Sequence, residues 1–140
     1  MVFSKDKADV LLCRRQGEAD YDSIFSFIEG KLETTDRSIT EGLKREKEEG
    51  VGEDFKIKVY PVFSWNTIFT KKDGSAMVLP HYLVIHDSGE VSLNEEYSEY
   101  KWIDLKDLEL FEPKIPNITK VVQELSRITK ISRDEEFVLL

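Results

Sequence analysis

Cysteine is nearly absent from this sequence, and so are long hydrophobic runs. The single cysteine, Cys13, rules out an internal disulfide and is typical of a protein of the reducing cytoplasm. No apolar stretch approaches the roughly 20 residues that a membrane-spanning helix needs, and no signal peptide opens the chain. Internal repeats and low-complexity segments are also missing. We therefore expect a cytoplasmic protein with no membrane partner.

The sequence also lacks an excess of basic residues. It has 20 Lys and Arg against 28 Asp and Glu, which gives a formal net charge of −8. A protein that grips DNA or RNA normally carries a basic surface that neutralises phosphates, whereas here Lys and Arg are interleaved with Glu. The composition excludes a nucleic-acid polymer as the expected ligand. A small phosphorylated ligand stays open if divalent metal ions offset the carboxylates locally.

A single domain with a mixed sheet is the expected architecture for these 140 residues, of which 40% are hydrophobic. The predicted order is two strands, a helix, three more strands and a second helix, which favours a sheet with helices packed on its faces. We assign the domain to residues 1–131. The remaining residues, 132–140, form a C-terminal tail that is either loose or bound to a neighbouring subunit. Strands are predicted at 8–14, 23–28, 54–69, 76–86 and 100–105, and helices at 39–50 and from 118 onwards.

The helix at 39–50 places carboxylates close together. Glu46 and Glu49 are three residues apart, so they are neighbours on one helix face and repel each other. One explanation is a solvated helix with ion pairs from Lys44 to Glu48 and from Arg45 to Glu49. The other is a carboxylate cluster that coordinates Mg²⁺, which prefers oxygen ligands and is often bound together with phosphate.

This helix has little apolar surface for an element in the middle of a domain. Ser38–Glu41 matches a capping box, so the start of the helix is well defined. Only Ile39, Leu43 and Val51 can anchor it, and Gly42 inside it costs about 1 kcal/mol relative to Ala. Such weak packing indicates that one face of the helix is reserved for another purpose.

The stretch 29–53 resembles the Nudix box, the loop and helix of enzymes that hydrolyse nucleoside diphosphates linked to another group. The family pattern is Gly, five residues, Glu, seven residues, Arg-Glu, an aliphatic residue, any residue, Glu-Glu, any residue, Gly and an aliphatic residue. The flanking segments VLLCRR and EEYSEYKWIDLKDL also resemble the family, so the likeness covers residues 8–125. Within the box the matching residues are Gly30, Asp36 in place of the first Glu, Arg45, Glu46, Glu49 and Gly52.

Several positions depart from the pattern. Gly50 occupies the second position of the Glu-Glu pair, and one extra residue lies between Asp36 and the helix. A register shifted by one residue would make Glu48 and Glu49 the pair, but it would lose the Arg-Glu match. We adopt the first register because it retains more of the chemistry. Three further substitutions are Glu29 for the first glycine of a Gly-Gly pair, Lys47 for the central aliphatic residue and Glu53 for the final one.

The resemblance implies a fold, a reaction and a set of site residues. The fold is an α/β/α sandwich of the α+β type, and the reaction is Mg²⁺-dependent hydrolysis of a pyrophosphate bond in a nucleoside di- or triphosphate derivative. Mn²⁺ is an alternative metal, and a homodimer is left open. The metal ligands would be the Gly30 carbonyl, Glu46, Glu49 and Glu96.

The remaining roles implied by the resemblance concern orientation, catalysis and substrate. Arg45 would orient the carboxylates through Asp36 or Glu33, and Glu96 or Glu99 would complete the metal shell or act as base. The substrate candidates are Arg14, Arg15, Lys31 and His81. An alternative function is a Nudix fold whose box has lost a ligand at Gly50 and binds a nucleotide or a protein without turnover.

Overall fold

A seven-stranded mixed sheet lies at the centre of the computed structural model, which describes residues 1–140. Two α-helices and a short 3-10 turn at Asp134–Glu136 complete the chain. The strands are β1 (Val2–Phe3), β2 (Asp9–Arg15), β3 (Phe25–Ser26), β4 (Lys56–Thr70), β5 (Ala76–Ser88), β6 (Tyr97–Asp104) and β7 (Val138–Leu139), and the helices are α1 (Ile39–Val51) and α2 (Ile118–Thr129).

Strand β2 is the centre of one half of the sheet. It pairs along its length with β6, while β1 and β3 share its other edge. Strand β1 runs parallel to β5 and links this half to the long antiparallel β4–β5 hairpin. All the other pairings are antiparallel, so the predicted mixed sheet is confirmed.

The alternation of side chains along β2 separates two hydrophobic cores. Val10 and Leu12 pack on one face of the sheet with helix α2, whereas Leu11 and Cys13 pack on the other face with the end of helix α1. All four side chains are almost fully buried, and each contributes about 1.5–3 kcal/mol of hydrophobic stabilisation at most. One helix on each side of the sheet gives the predicted α/β/α sandwich.

Capping interactions fix the position at which α1 begins. The Ser38 side chain accepts a hydrogen bond from the Glu41 N–H at 3.1 Å, and the Glu41 carboxylate accepts one from the Arg37 N–H at 2.8 Å. At the other end, Gly52 has φ of 95° and its N–H bonds to the Glu48 carbonyl. These contacts set which residues of α1 face the preceding loop.

Gly42 is the point at which that loop packs on α1. It is buried, and a Cβ atom there would lie 3.1 Å from an Asp36 carboxylate oxygen and would overlap the Leu32 side chain. The residue that looked like a weakness of the helix is therefore required for close contact with the loop.

Two predicted segments differ clearly from the structure. The strand expected at 23–28 is reduced to Phe25–Ser26, because Tyr21 and Ser23 adopt positive φ and form a turn before it. The N-terminal strand β1, which was not among the predicted strands, has two residues. The predicted C-terminal tail, residues 132–140, packs on the domain of its own chain. Strand β7 pairs with β4, and Leu140 exchanges backbone hydrogen bonds with Ile57. No helix has both the length and the apolar character needed to cross a membrane.

Candidate active site

The loop before α1 meets the helix at Gly30. The carboxylate of Glu46 packs so closely on Gly30 that a Cβ atom at this position would overlap it. Only glycine leaves the Glu46 carboxylate room beside the loop backbone. Gly30 and Glu46, which were both predicted as metal ligands, are thus in direct contact in the structure.

Arg45 ties the loop to the helix through Asp36. Its Nε and one terminal nitrogen donate to the two Asp36 carboxylate oxygens at 3.1 and 2.8 Å, and the same terminal nitrogen donates to the Lys31 carbonyl at 2.8 Å. Asp36 also accepts the Glu33 N–H at 2.8 Å. The Arg45 guanidinium, with the Glu33 N–H, lowers the pKa of Asp36 to about 2. Of the two partners proposed for Arg45, Asp36 receives the bidentate contact.

The second terminal nitrogen of Arg45 points to the carboxylates of the helix. It lies 2.7 Å from Glu46, 3.3 Å from Glu49 and 3.7 Å from Glu33. The contacts with Asp36 and Glu46 raise the pKa of Arg45 above its ordinary value. One guanidinium thus orients four carboxylates, in a planar fork that a lysine could not reproduce.

Glu46 is the least exposed of the helix carboxylates that Arg45 contacts. Its side chain is 18% exposed, compared with 52% for Glu49. Burial raises the pKa of Glu46, the Arg45 contact opposes this, and the nearby negative charges of Glu49 and Glu96 add to the increase. The structure therefore brings Glu96, the residue before β6, to within electrostatic range of Glu46.

The donors of this cluster suit a hard divalent cation. Glu46, Glu49, Glu96 and the backbone at Gly30 offer only oxygen, which Mg²⁺ and Mn²⁺ prefer, and they include no thiolate or imidazole. As the side chains are arranged, no three His, Cys, Asp or Glu residues are close enough to one another to form a complete metal shell. Arg45 bridges Glu46 and Glu49 in this arrangement.

Glu48 distinguishes the two registers of the box. Its carboxylate pairs with Lys44 at 3.8 Å and with Lys47 at 3.6 Å, and it has no contact with Arg45. The ion pairs of the solvated-helix explanation do form, but Lys44–Glu48 lies apart from the Arg45 cluster. This arrangement favours the first register, in which Glu46 and Glu49 act together.

Lys47, in the aliphatic position of the box, is buried like an aliphatic residue. It is 3% exposed, its ammonium makes no hydrogen bond, and burial lowers its pKa. The only carboxylate near it is Glu48. The four-carbon stem fills the space of an apolar side chain, which explains why the substitution is compatible with the fold.

The other predicted residues around the box are held in ion pairs. Arg14 contacts Glu99 at 3.1 Å across the β2–β6 pairing, and both side chains are 40% exposed. Arg15 pairs with Glu29 and, at 3.3 Å, with Glu18. Their roles in substrate binding and catalysis stay predictions. The charge of Glu96 contributes to the raised pKa of Glu46, whereas Glu99 is paired with Arg14.

A sequence model of the NUDIX domain matches residues 1–125 of the chain. The chain belongs to the Nudix family. This match includes the box and both flanking segments. No curated protein sequence matches the chain.

Solved structures of Nudix proteins share the fold. A C. elegans Ap4A hydrolase in a binary complex is 13% identical, with 94% of each chain covered and a TM-score of 0.74. The MutT protein from Methanosarcina mazei Go1 is 19% identical over 93% of this chain and 91% of that one, with a TM-score of 0.67. The NUDIX domain of Shewanella oneidensis NrtR, complexed with ADP ribose, is 17% identical over 94% and 84%, with a TM-score of 0.67. These likenesses show that the chain has the Nudix fold.

His81 belongs to a polar group that the sequence did not indicate. Its Nε2 lies 2.8 Å from the Thr67 hydroxyl, which also receives the Asn117 amide at 3.4 Å. The imidazole packs edge-on to Phe27, three residues before Gly30. Burial, together with the amino group of Met1, lowers the pKa of His81 to about 4. Thr67 and Asn117 come from β4 and from the residue before α2, so no local motif could identify them.

We expect His81 to make the protein less stable in mild acid. Its folded pKa of about 4 lies below the unfolded value of about 6.5, so the unfolded chain binds the extra proton between these values. The contribution of neutral His81 to the free energy of unfolding is thus fully present above about pH 6.5 and is lost as the pH falls towards about 4. We expect a loss of about 2 kcal/mol after allowance for the partial exposure of the ring.

Urea unfolding of the wild type and of His81→Gln at pH 7.5 and pH 5 tests this. The variant should lose less stability than the wild type on acidification. His86→Gln is the matched control, because His86 stacks on Phe55 at 4.6 Å on the other face of the sheet. Equal acid losses in the wild type and in His81→Gln would contradict the assignment.

Two surface grooves lie away from the Nudix box. One, of about 370 Å³, runs between α2 and Leu105–Glu109, and the other, of about 390 Å³, lies beside Trp102 and Phe111. Neither is lined by a box residue. The box carboxylates are instead reached from the open surface around Glu49.

Proposed function

We propose that this Nudix protein hydrolyses a pyrophosphate bond in a nucleoside di- or triphosphate derivative and requires Mg²⁺, for which Mn²⁺ can substitute. The observation that carries the proposal is the packing of the Glu46 carboxylate against Gly30, with Glu96 in electrostatic range of Glu46 and with Arg45 joining Glu46 and Glu49 to the loop through Asp36. This arrangement joins three separated segments of the chain at one place.

The charge of the cluster supports a metal-dependent reaction. Four carboxylates surround a single guanidinium, so the site alone repels a pyrophosphate. When bound, the divalent ion would supply the positive charge, polarise the phosphoryl oxygens and lower the pKa of a water molecule. Glu46, Glu49, Glu96 and the Gly30 carbonyl are the groups that would hold it.

The chain's own residues have three tasks in this reaction. Arg45 keeps the Glu46 and Glu49 carboxylates oriented and fixes the loop through Asp36. Glu96 or Glu99 would accept a proton from the attacking water, and Glu96 is the better placed of the two because it acts on Glu46. The candidates for contact with the phosphates are Arg14, Arg15 and Lys31, and His81 is a further candidate for contact with the substrate.

Hydrolysis assays with a panel of nucleotides test the proposal. The panel contains nucleoside triphosphates, dinucleoside polyphosphates such as Ap4A, and ADP-ribose, each with Mg²⁺, with Mn²⁺ and with EDTA. We expect release of phosphate, pyrophosphate or a nucleotide from at least one class, and none with EDTA. Because the panel includes one compound class for each kind of structural neighbour, the results show which class of nucleotide this protein hydrolyses.

Gly50 supports the alternative function, a module that binds nucleotide without turnover, because it lacks the second carboxylate of the family pattern. No hydrolysis of any nucleotide with either metal, combined with a nucleotide-dependent rise in melting temperature, would favour this alternative. It would also contradict the proposed reaction.

A further inference from the structure

Tyr97 stands at the junction of the three segments that form the site. It is the first residue of β6, it is 6% exposed, and it packs in the core on the α1 side of the sheet. Glu96 immediately precedes it, and Arg15 is its partner in β2. A change in the position of Tyr97 would therefore move Glu96 directly.

The ring of Tyr97 occupies the space next to Gly50. A Cβ atom at position 50 would lie 3.2 Å from Cε2 of Tyr97 and 3.4 Å from a methyl carbon of Ile28, which is tighter than an ordinary contact. Any larger side chain at position 50 would require the Tyr97 ring to shift by a few tenths of an ångström. The glycine in the second position of the Glu-Glu pair is thus matched to a large aromatic residue from β6.

The hydroxyl of Tyr97 holds the loop that carries Gly30. It accepts the N–H of Glu29 at 3.3 Å, and the Glu29 side chain is fixed separately by Arg15. Gly30 follows at once and receives the Glu46 carboxylate. Through one side chain, Tyr97 contacts the loop at Glu29 and the helix at Gly50, while its backbone carries Glu96.

We propose that Tyr97 is a positioning residue that sets Gly30 and Glu96 for metal binding, and that Gly50 and Tyr97 form a compensating pair. This inference rests on the proposed function. In this inference Gly50 is more than a lost ligand. The Tyr97 ring occupies the space that a side chain at position 50 would need, and from there Tyr97 helps to position the remaining ligands. Tyr97 itself contacts neither the metal nor the substrate.

Tyr97→Phe separates this role from simple packing, because the ring is retained and only the hydrogen bond to Glu29 is removed. We expect the dissociation constant for Mn²⁺, measured by electron paramagnetic resonance with a non-hydrolysable nucleotide, to rise about ten-fold, as for other outer-shell changes. Hydrolysis should fall at low Mg²⁺ and recover at high Mg²⁺, while the melting temperature changes little. Tyr100→Phe, on the same strand but 38% exposed, is the matched control and should leave Mn²⁺ binding unchanged.

Gly50→Ala tests the other member of the pair. Alanine favours the helix, but its Cβ would press on the Tyr97 ring, so we expect weaker Mn²⁺ binding without a loss of helix stability. If both Tyr97→Phe and Gly50→Ala bound Mn²⁺ as tightly as the wild type, this inference would be overturned while the proposed function would stand. A wild-type protein that neither binds Mn²⁺ nor hydrolyses any nucleotide would overturn the proposed function and this inference with it.

Discussion

Replacing Glu46 with Gln is expected to lower kcat/KM by about three orders of magnitude, since a metal ion stabilises the transition state by several kcal/mol and each 1.36 kcal/mol is a factor of ten. The side chain keeps its size, but it can no longer offer a charged oxygen beside Gly30. Glu49→Gln should have an effect in the same range, because both carboxylates share Arg45.

Stability should not fall together with activity in these variants. Burial and the charges of Glu49 and Glu96 raise the pKa of Glu46, so its ionised form is disfavoured in the folded protein. The melting temperature of Glu46→Gln should accordingly equal or exceed that of the wild type at pH 7. A gain or retention of stability with loss of activity is the signature of a residue selected for function.

Glu48→Gln is the matched control for these variants. It lies in the same helix, but its carboxylate faces Lys44 and Lys47 and not Arg45. Steady-state kinetics and thermal unfolding of the three variants give the comparison. A large loss of activity in Glu48→Gln with near-normal activity in Glu46→Gln would show that the shifted register of the box is the correct one.

Arg45→Lys is expected to lower kcat/KM by about 10- to 100-fold, which is the usual effect of removing a residue that orients metal ligands. The lysine keeps the positive charge but cannot contact Asp36 with two nitrogens and reach Glu46 and the Lys31 carbonyl as well. The loss should appear as weaker metal binding and lower kcat, because both the loop and the carboxylates lose their orientation. Arg37→Lys, in the same loop but outside this network, should behave as the wild type.

The acid stability of the Arg45 variant should change in a defined direction. In the wild type, the pKa of Asp36 is lowered to about 2, so its contribution to stability is complete above about pH 4 and is lost as the pH falls towards 2. Without the bidentate contact this contribution is reduced, and the melting temperature of Arg45→Lys should be lower than that of the wild type at pH 7. If Arg45→Lys and the wild type had equal melting temperatures at both pH 7 and pH 3, this would contradict the role given to the Arg45–Asp36 pair.

The sequence predicted the parts of the site that depend on local spacing. Ser38 and Glu41 defined the start of α1, and the match to the box identified Gly30, Arg45, Glu46 and Glu49. The sheet and its two helices were also predictable, because β2 alternates between two cores and α2 has a regular apolar face.

The parts that the sequence did not predict depend on contacts between distant segments. Gly42 looked like a weakness of the helix and Gly50 like a lost ligand, but both are positions of close contact, with Asp36 and Tyr97 respectively. Lys47, which departs from the aliphatic residue of the box pattern, is buried, and the pattern did not indicate this. Such features follow from how the loop, the helix and β6 meet, which no single segment of the sequence encodes.

The most direct test of the account is a crystal structure with Mn²⁺ and a non-hydrolysable nucleotide, in which the anomalous signal locates the metal. We predict a Mn²⁺ ion coordinated by Glu46, Glu49 and Glu96 together with the Gly30 carbonyl, with the pyrophosphate bound to the same ion. Glu99 should remain paired with Arg14. A metal ion bound to Glu48 and Glu49 without Glu46, or a nucleotide bound with no metal at the box, would contradict the account.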